Sequence, residues 1–369
     1  MNRLFRWDQM GLFLLALAAG ILSFAVPEVC AAALREGLTL CSGPLLLSLF
    51  PFLVVSRLLI QCPESDLLAL PFRLAAWGIG IRTPCAARVL CIGFLGGFAP
   101  AASAAAQAVR TGQLTAEEAD ALLPACICSG PSFVVLTVGQ SLLGSAELGV
   151  LLFASQITAN YLTAALLNRF AGMHSVKLGS AAPASPAPPR LDEILADAAI
   201  TYCKLCGFIL FFRMLAAGAG ALLPAGAGTL CSILLEVCSG CDLASRTGRW
   251  GSLLCCAALS VQGLSVLLQV RTICPPEMTL RPLYRARMLH LPLSLALFYL
   301  LLPGGEADVF STLPARILLM RRVPPDCALL VFAVCCMAAC TLRSGIRQVE
   351  QKQMARNAGG CCINSKTLL

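Results

Sequence analysis

Residues Gly93 to Gln140 read GFLGGFAPAASAAAQAVRTGQLTAEEADALLPACICSGPSFVVLTVGQ. Apolar, helix-forming sequence is broken here at Gly96-Gly97, at Pro100 and at Ser129-Gly130-Pro131, and a polar turn from Thr111 to Asp120 lies between the breaks. Each break frees backbone N–H and C=O groups that hydrocarbon cannot satisfy, so breaks persist only where protein or a water-filled cavity receives those groups. Interrupted helices in lipid-compatible sequence are the pattern that brings half-helix ends to a binding site near mid-membrane. Thr115-Ala116-Glu117-Glu118 predicts a helix start, with threonine as N-cap and glutamates in the first turn. Ser129-Gly130-Pro131 stops that helix, and a new one is expected from Ser132, because Pro131 lacks an N–H and has φ pre-set for a first-turn position.

Working outward, the composition fits this reading. Of 369 residues, 58% are hydrophobic and only 12% charged, which excludes a soluble fold and points to an all-α, polytopic membrane protein. Uncharged windows recur at Met10–Pro27, Ala121–Ala146, Leu148–Asn168, Met214–Leu235, Gly251–Val270 and Cys327–Leu342. With the broken segments they predict about eight to ten membrane-embedded helices, including interrupted or re-entrant half-helices in two repeat-like halves. The first window, preceded by Arg3 and Arg6, reads as a retained helix, since no small-residue cleavage site follows it before Glu28. A second span is expected over Gly37–Ile60, and Leu67–Ile81 suits an interfacial or re-entrant helix.

The first membrane half is thus residues 1–170, carrying the 93–140 hairpin. An Ala/Pro/Ser-rich linker, 171–190, ends SAAPASPAPPR and cannot build a core. The second half, 191–343, opens on Leu191–Ala199 and Tyr202–Leu223, with a break expected in the glycine-rich 218–228 stretch. Gly251–Val270 is interrupted at Gln262-Gly263, and Arg281, Arg285 and Arg287 read as a basic loop before a helix at Met288–Leu302. A polar tail, 344–369, closes the chain. The net charge of +8 comes from arginines between apolar windows, where the positive-inside rule puts them on cytoplasmic loops. That places both termini and the linker in the cytoplasm. Nothing forms a basic groove with interleaved aromatics, so nucleic acid is not an expected partner. A four-residue echo, Ile127-Cys128-Ser129-Gly130 against Val237-Cys238-Ser239-Gly240, fits a two-repeat design.

Among polar residues, Glu236 follows an uncharged stretch from Met214 to Leu235. Two readings are open: a carboxylate deep in the membrane, costly enough to be functional by default, or a helix-end glutamate at the interface. Gln107, Gln140, Gln156, Asn160, Gln262 and Gln269 are amides in apolar helices, either interhelical glue or pathway lining; Gln262 and Gln269, beside a glycine break, favour the pathway. Ser129, Gly130, Pro131, Ser132, Gly263 and Ser265 sit at breaks, where a plain kink competes with a binding site. Arg88, Lys204 and Arg213 read as snorkelling side chains rather than anion partners. The 21 cysteines include Cys203–Cys206 and Cys238–Cys241 in CxxC spacing, but only His174 and His290 accompany them. In apolar windows cysteine behaves as a small hydrophobe, so no metal, cofactor or catalytic residue is expected.

With these residues in view the chain resembles the sporulation integral membrane proteins of the YlbJ type, whose nucleoside-recognition (Gate) regions are similar to those of concentrative nucleoside transporters. The likeness rests on Gly37-Leu38 through Phe50-Pro51-Phe52, on Gly93–Pro100 with Gly112–Glu118 and Ser129–Phe133, on Glu236 to Gly240, on Val261–Ser265 with Gln269, and on Arg287, His290 and Ser294. The chain has Gly97-Phe98-Ala99-Pro100-Ala101-Ala102 where the family has Gly-Tyr-Pro-x-Gly-Ala, and Cys126–Ser129 where it tends to have asparagines. The resemblance implies a transporter or facilitator of a small organic anion, dipicolinic acid, across the outer forespore membrane during endospore formation. Its partners would then be that substrate, the bilayer and a coupling proton or cation. A nucleoside or ion transporter of the same architecture and a non-transporting sporulation scaffold are the competing readings. For a planar dianion the expected partners are the half-helix N-termini near Ser132 and Leu264, with the Ser132 and Ser265 hydroxyls as added donors.

Overall fold

A computed structural model describes residues 2–61, 67–171 and 190–302, and every regular element in them is helical. The span expected at 327–342, the 344–369 tail and nearly all of the linker lie outside the described residues. Among the described residues, four stretches are long and apolar enough to cross a bilayer: Pro27–Leu47, Ala146–Phe170, Leu191–Leu222 and Gly248–Ile273. Their outward faces carry exposed leucines and valines, among them Leu47, Val150 and Leu162, along with Phe170, as a lipid-facing surface requires.

The first half opens with α1 (Asn2–Ala25), α2 (Pro27–Ser42), α3 (Pro44–Gln61) and the short α4 (Leu70–Gly78). The second span therefore starts at Pro27 rather than Gly37; proline at a first helical position gives up no hydrogen bond. Leu68, Leu70, Leu74 and Trp77 on and beside α4 are exposed, in keeping with an interfacial helix. Next come α5 (Pro84–Gly96), α6 (Phe98–Arg110), α7 (Ala116–Cys126), a π-helix at Ser132–Leu142, and α8 (Ala146–Phe170). Thr115 closes a full capping box with Glu118, as the sequence predicts. Pro100, expected as a break, instead sits inside the first turn of α6, where its missing N–H is harmless.

In the second half, Leu191–Ala199 and Tyr202–Leu223 are one helix, α9 (Leu191–Leu222), because nothing between them stops it. The chain turns at Leu223-Pro224, within the glycine-rich interval, and Gly228 of α10 (Ala225–Leu235) packs against Gly220: a Cβ there would lie 3.1 Å from the Gly220 Cα. Then follow α11 (Val237–Ser245), α12 (Gly251–Val261), α13 (Gly263–Ile273) and α14 (Arg281–Leu301). The basic loop expected at 281–287 is the first part of α14, and Arg287 is buried.

Direction is set by contacts at the end of the bundle where α8 stops and α9 starts, here the linker end. Arg57 near the end of α3 pairs with Asp197 of α9 at 2.7 Å. Arg88 of α5 donates to the Ile60 carbonyl (2.7 Å) and to Gln113 (3.1 Å), and Thr83 donates to Glu118 (2.5 Å). The start of α5, the end of α6 and the start of α7 therefore share the linker end. So α5 and α6 form a re-entrant hairpin that dips into the bundle and returns. The α7–π-helix pair instead continues through, and α8 comes back, with Asn168 donating to the Ala121 carbonyl at 3.2 Å.

The second half runs on from the far end of α9. There α10 enters and α11 doubles back; a Cβ on Gly240 would sit 2.8 Å from the Ile233 Cα, so the pair packs nearly backbone to backbone. The α12–α13 pair runs through to the linker end, where the loop before α14 is anchored by Asp120, whose carboxylate accepts from Thr279 N (2.8 Å), Thr279 Oγ1 (2.6 Å) and Leu280 N (3.1 Å). The α5–α6 hairpin thus enters from the linker end and the α10–α11 hairpin from the opposite end. The short sequence echo pairs the α7–π break with the α10–α11 tip.

Candidate functional site

Two hairpin tips and two through-going breaks meet in the middle of the bundle. In the first half, the Gly97 tip lies against the break after α7; a Cβ on Gly97 would sit 2.6 Å from Gly130 N. Gly97 has φ 82° and ψ −163°, a region open in practice to glycine alone. In the second half, the tip is Glu236 and the break is Gln262-Gly263; a Cβ on Gly263 would lie 3.0 Å from Glu236 N. Both Gln262 (φ 66°) and Gly263 (φ 71°) are left-handed. The halves are joined where Gln262 Nε2 donates to Ser129 Oγ at 3.4 Å.

Four half-helices begin at these points: α6, the π-helix, α11 and α13. Each presents N–H groups without intrahelical partners and the positive end of its dipole. Glu236 satisfies one of them. Only 2% exposed, it caps α11, its two carboxylate oxygens accepting from Cys238 N (2.8 Å) and Ser239 N (2.7 Å). It is at once the buried carboxylate and the helix-end glutamate, because the helix end is itself in the core.

The opposite ends of α7 and α12 are met by Arg287. Its guanidinium donates to the carbonyl of Ile127 (2.8 Å), which ends α7, to Ser260 O in the last turn of α12 (3.4 Å), and to Asn160 Oδ1 (3.3 Å). Behind it, Gln156 Nε2 donates to Ser260 Oγ (2.9 Å), Ser260 and Ser294 share a 2.5 Å hydrogen bond, and His290 contacts the Gln156 carbonyl at 3.2 Å. Gln156 and Asn160 are therefore interhelical ties. Arg287 enters the sequence reading only through the resemblance, and otherwise as part of a basic loop because it follows Arg281 and Arg285; its i+6 spacing from Arg281 is a weak signal that it points to another face.

A cavity of about 60 Å³ opens between the tips, lined among others by Gly96, Ser129, Gly130, Ser132, Glu236 and Gln269. Phe52, Phe98 and Phe133 supply apolar walls. Of the residues singled out from sequence, Ser129, Gly130, Ser132, Glu236 and Gln269 thus share one cavity. Pro131, Gln262, Gly263 and Ser265 stand behind its wall. Pro131 caps the π-helix, Gly263 backs the Glu236 tip, and Ser265 Oγ accepts from Gln269 Nε2 at 2.9 Å. The amide oxygens of Gln262 and Gln269 are buried without a hydrogen-bond partner, which costs about 1–3 kcal/mol each unless a ligand or water donates to them. The Gly96-Gly97-Phe98 tip belongs to the site as well, although sequence reading placed only a break there.

Comparison with protein-family models, with curated proteins and with solved structures yields no significant match. The class of protein the fold defines is a helical membrane protein with interrupted helices.

Proposed function

We propose that this protein is a secondary transporter or facilitator that carries a small organic anion across the membrane it spans. The observation that supports this is the meeting of two oppositely directed hairpin tips with two broken helices around one cavity. Discontinuous helices at the interface of inverted halves are a recurrent way to build a transport site, with alternating access by movement of one half against the other. The N-termini of α6 and of the π-helix, at Phe98 and Ser132, border this cavity and remain for an anion, Glu236 having taken that of α11. The dicarboxylate indicated by the sequence resemblance is dipicolinate, moved across the outer forespore membrane of a sporulating cell. At about 60 Å³ the cavity is well below the roughly 300 Å³ and more of sites for drug-sized ligands, so the tips must part to admit it.

A nucleoside is the second reading, favoured by the unpartnered acceptor on Gln269 in the cavity lining, which suits an N–H or O–H donor rather than a carboxylate. Proteoliposomes loaded with terbium ions separate the two: dipicolinate that enters chelates the metal and makes it luminesce. Uptake above that of empty liposomes is the expected result. Uptake of labelled uridine with no dipicolinate signal would make the nucleoside reading correct, and uptake of neither would leave the transport proposal without support.

A further inference from the structure

A second cavity, about 300 Å³ in volume, lies at the linker end between α3, α6, α9 and α13. Three cations line it, Arg57, Arg110 and Lys204, against one carboxylate, Asp197. Asp197 is already taken by Arg57 at 2.7 Å, and Arg57 also donates to Thr201 at 3.2 Å. Neither Arg110 nor Lys204 has an ion-pair partner among the described residues. The lining therefore carries two unbalanced positive charges in a concave site. Low-dielectric walls around one sign of charge focus the field and raise the local concentration of counter-ions.

The cavity also touches the one between the hairpin tips. Gln269 lines both, with its amide nitrogen held by Ser265 and its oxygen free of any partner. We infer that this cavity is a docking site for a small organic dianion, held between Arg110 and Lys204 and released past Gln269 to the tips. The charge match sets the class: two uncompensated cations in a cavity of small-molecule size suit a dicarboxylate better than a neutral solute. The onward step rests on the transport reading above; the docking itself does not. Lys204, which sequence reading treats as a snorkelling side chain, and Arg110 are in this view the residues that recognise substrate first.

Equilibrium dialysis of radiolabelled dipicolinate against the full chain in neutral detergent tests this without any transport step. Wild type should bind the dianion, and binding should weaken as sodium chloride is raised, because partly exposed charges are screened. Arg110→Gln with Lys204→Gln should weaken binding about tenfold or more, the loss expected for two charged partners, whereas Arg110→Lys with Lys204→Arg should restore it. Leu151→Ala on α8, which lines neither cavity, should leave this binding unchanged. No binding by wild type, or wild-type binding by the double glutamine variant, overturns the inference. Binding intact with no uptake in terbium-loaded liposomes overturns the transport reading alone.

Discussion

The side-chain amide of Gln262 reaches Ser129 Oγ at 3.4 Å and the Leu259 carbonyl at 2.9 Å, so one residue joins the broken helices of both halves. It does so from a left-handed backbone, φ 66°, which costs a non-glycine residue about 1–2 kcal/mol. The side chain's bridging role explains why glycine is not used. Gln262→Gly should relieve the backbone and leave Tm near or above wild type, yet reduce dipicolinate uptake severalfold. Uptake at the wild-type rate would show that the bridge is dispensable.

Glu236→Gln is expected to insert correctly and to lose most transport. The carboxylate takes two backbone N–H groups at once; glutamine keeps one acceptor, presents N–H to N–H at the other, and removes the charge. Loss of a cap costs about 0.5–2 kcal/mol, so a modest fall in Tm should accompany it. Transport at the wild-type rate in a correctly inserted variant would reduce Glu236 to a structural cap.

Gly97→Ala should be the most damaging of the tip substitutions. Its backbone lies in a glycine-only region and the added Cβ would be 2.6 Å from Gly130 N, where neither partner is a side chain that can swing away. Strain of about 1–3 kcal/mol from the dihedral alone is expected, read as a lowered Tm by fluorescence-detected size exclusion. Gly130→Ala, whose nearest contact would be 3.3 Å, should cost less. The larger Gly130→Leu and Gly263→Leu should block uptake, whereas Leu151→Ala on α8 should not.

Arg287→Gln should destabilise the bundle by about 1–3 kcal/mol for each carbonyl left unpaired. Arg287→Lys, with its point charge and shorter reach, should recover part of that at best. Thermal unfolding in detergent measures both, and an unchanged Tm for the glutamine variant would remove Arg287 from its bridging role.

The entry of the two hairpins from opposite ends of the bundle predicts opposite labelling. On a cysteine-depleted background, Gln113→Cys should react with a membrane-impermeant maleimide from the linker side. Thr247→Cys, in the turn after α11, should react from the other side. Labelling of both from one side would contradict the two re-entrant hairpins.

Much of this was legible in the chain because it depends on neighbours in sequence. The Thr115–Glu118 box, the restart at Ser132, the interruption at Gln262-Gly263 and the uncharged run before Glu236 are each local signals, and each stands where it was read. What the chain could not reveal is whether a broken helix turns back or passes through. Gly96-Gly97 and Ser129–Pro131 look alike as breaks in apolar sequence, yet one is a hairpin tip and the other a through-going interruption. That choice is made by distant packing: Gly97 against Gly130, Gly240 against Ile233, Arg88 against Ile60. The same holds for Arg287, whose charge read as a loop until two helix ends were brought to it. A buried cation is stable only where acceptors converge on it, and here they come from separate segments, which is a property of the tertiary structure.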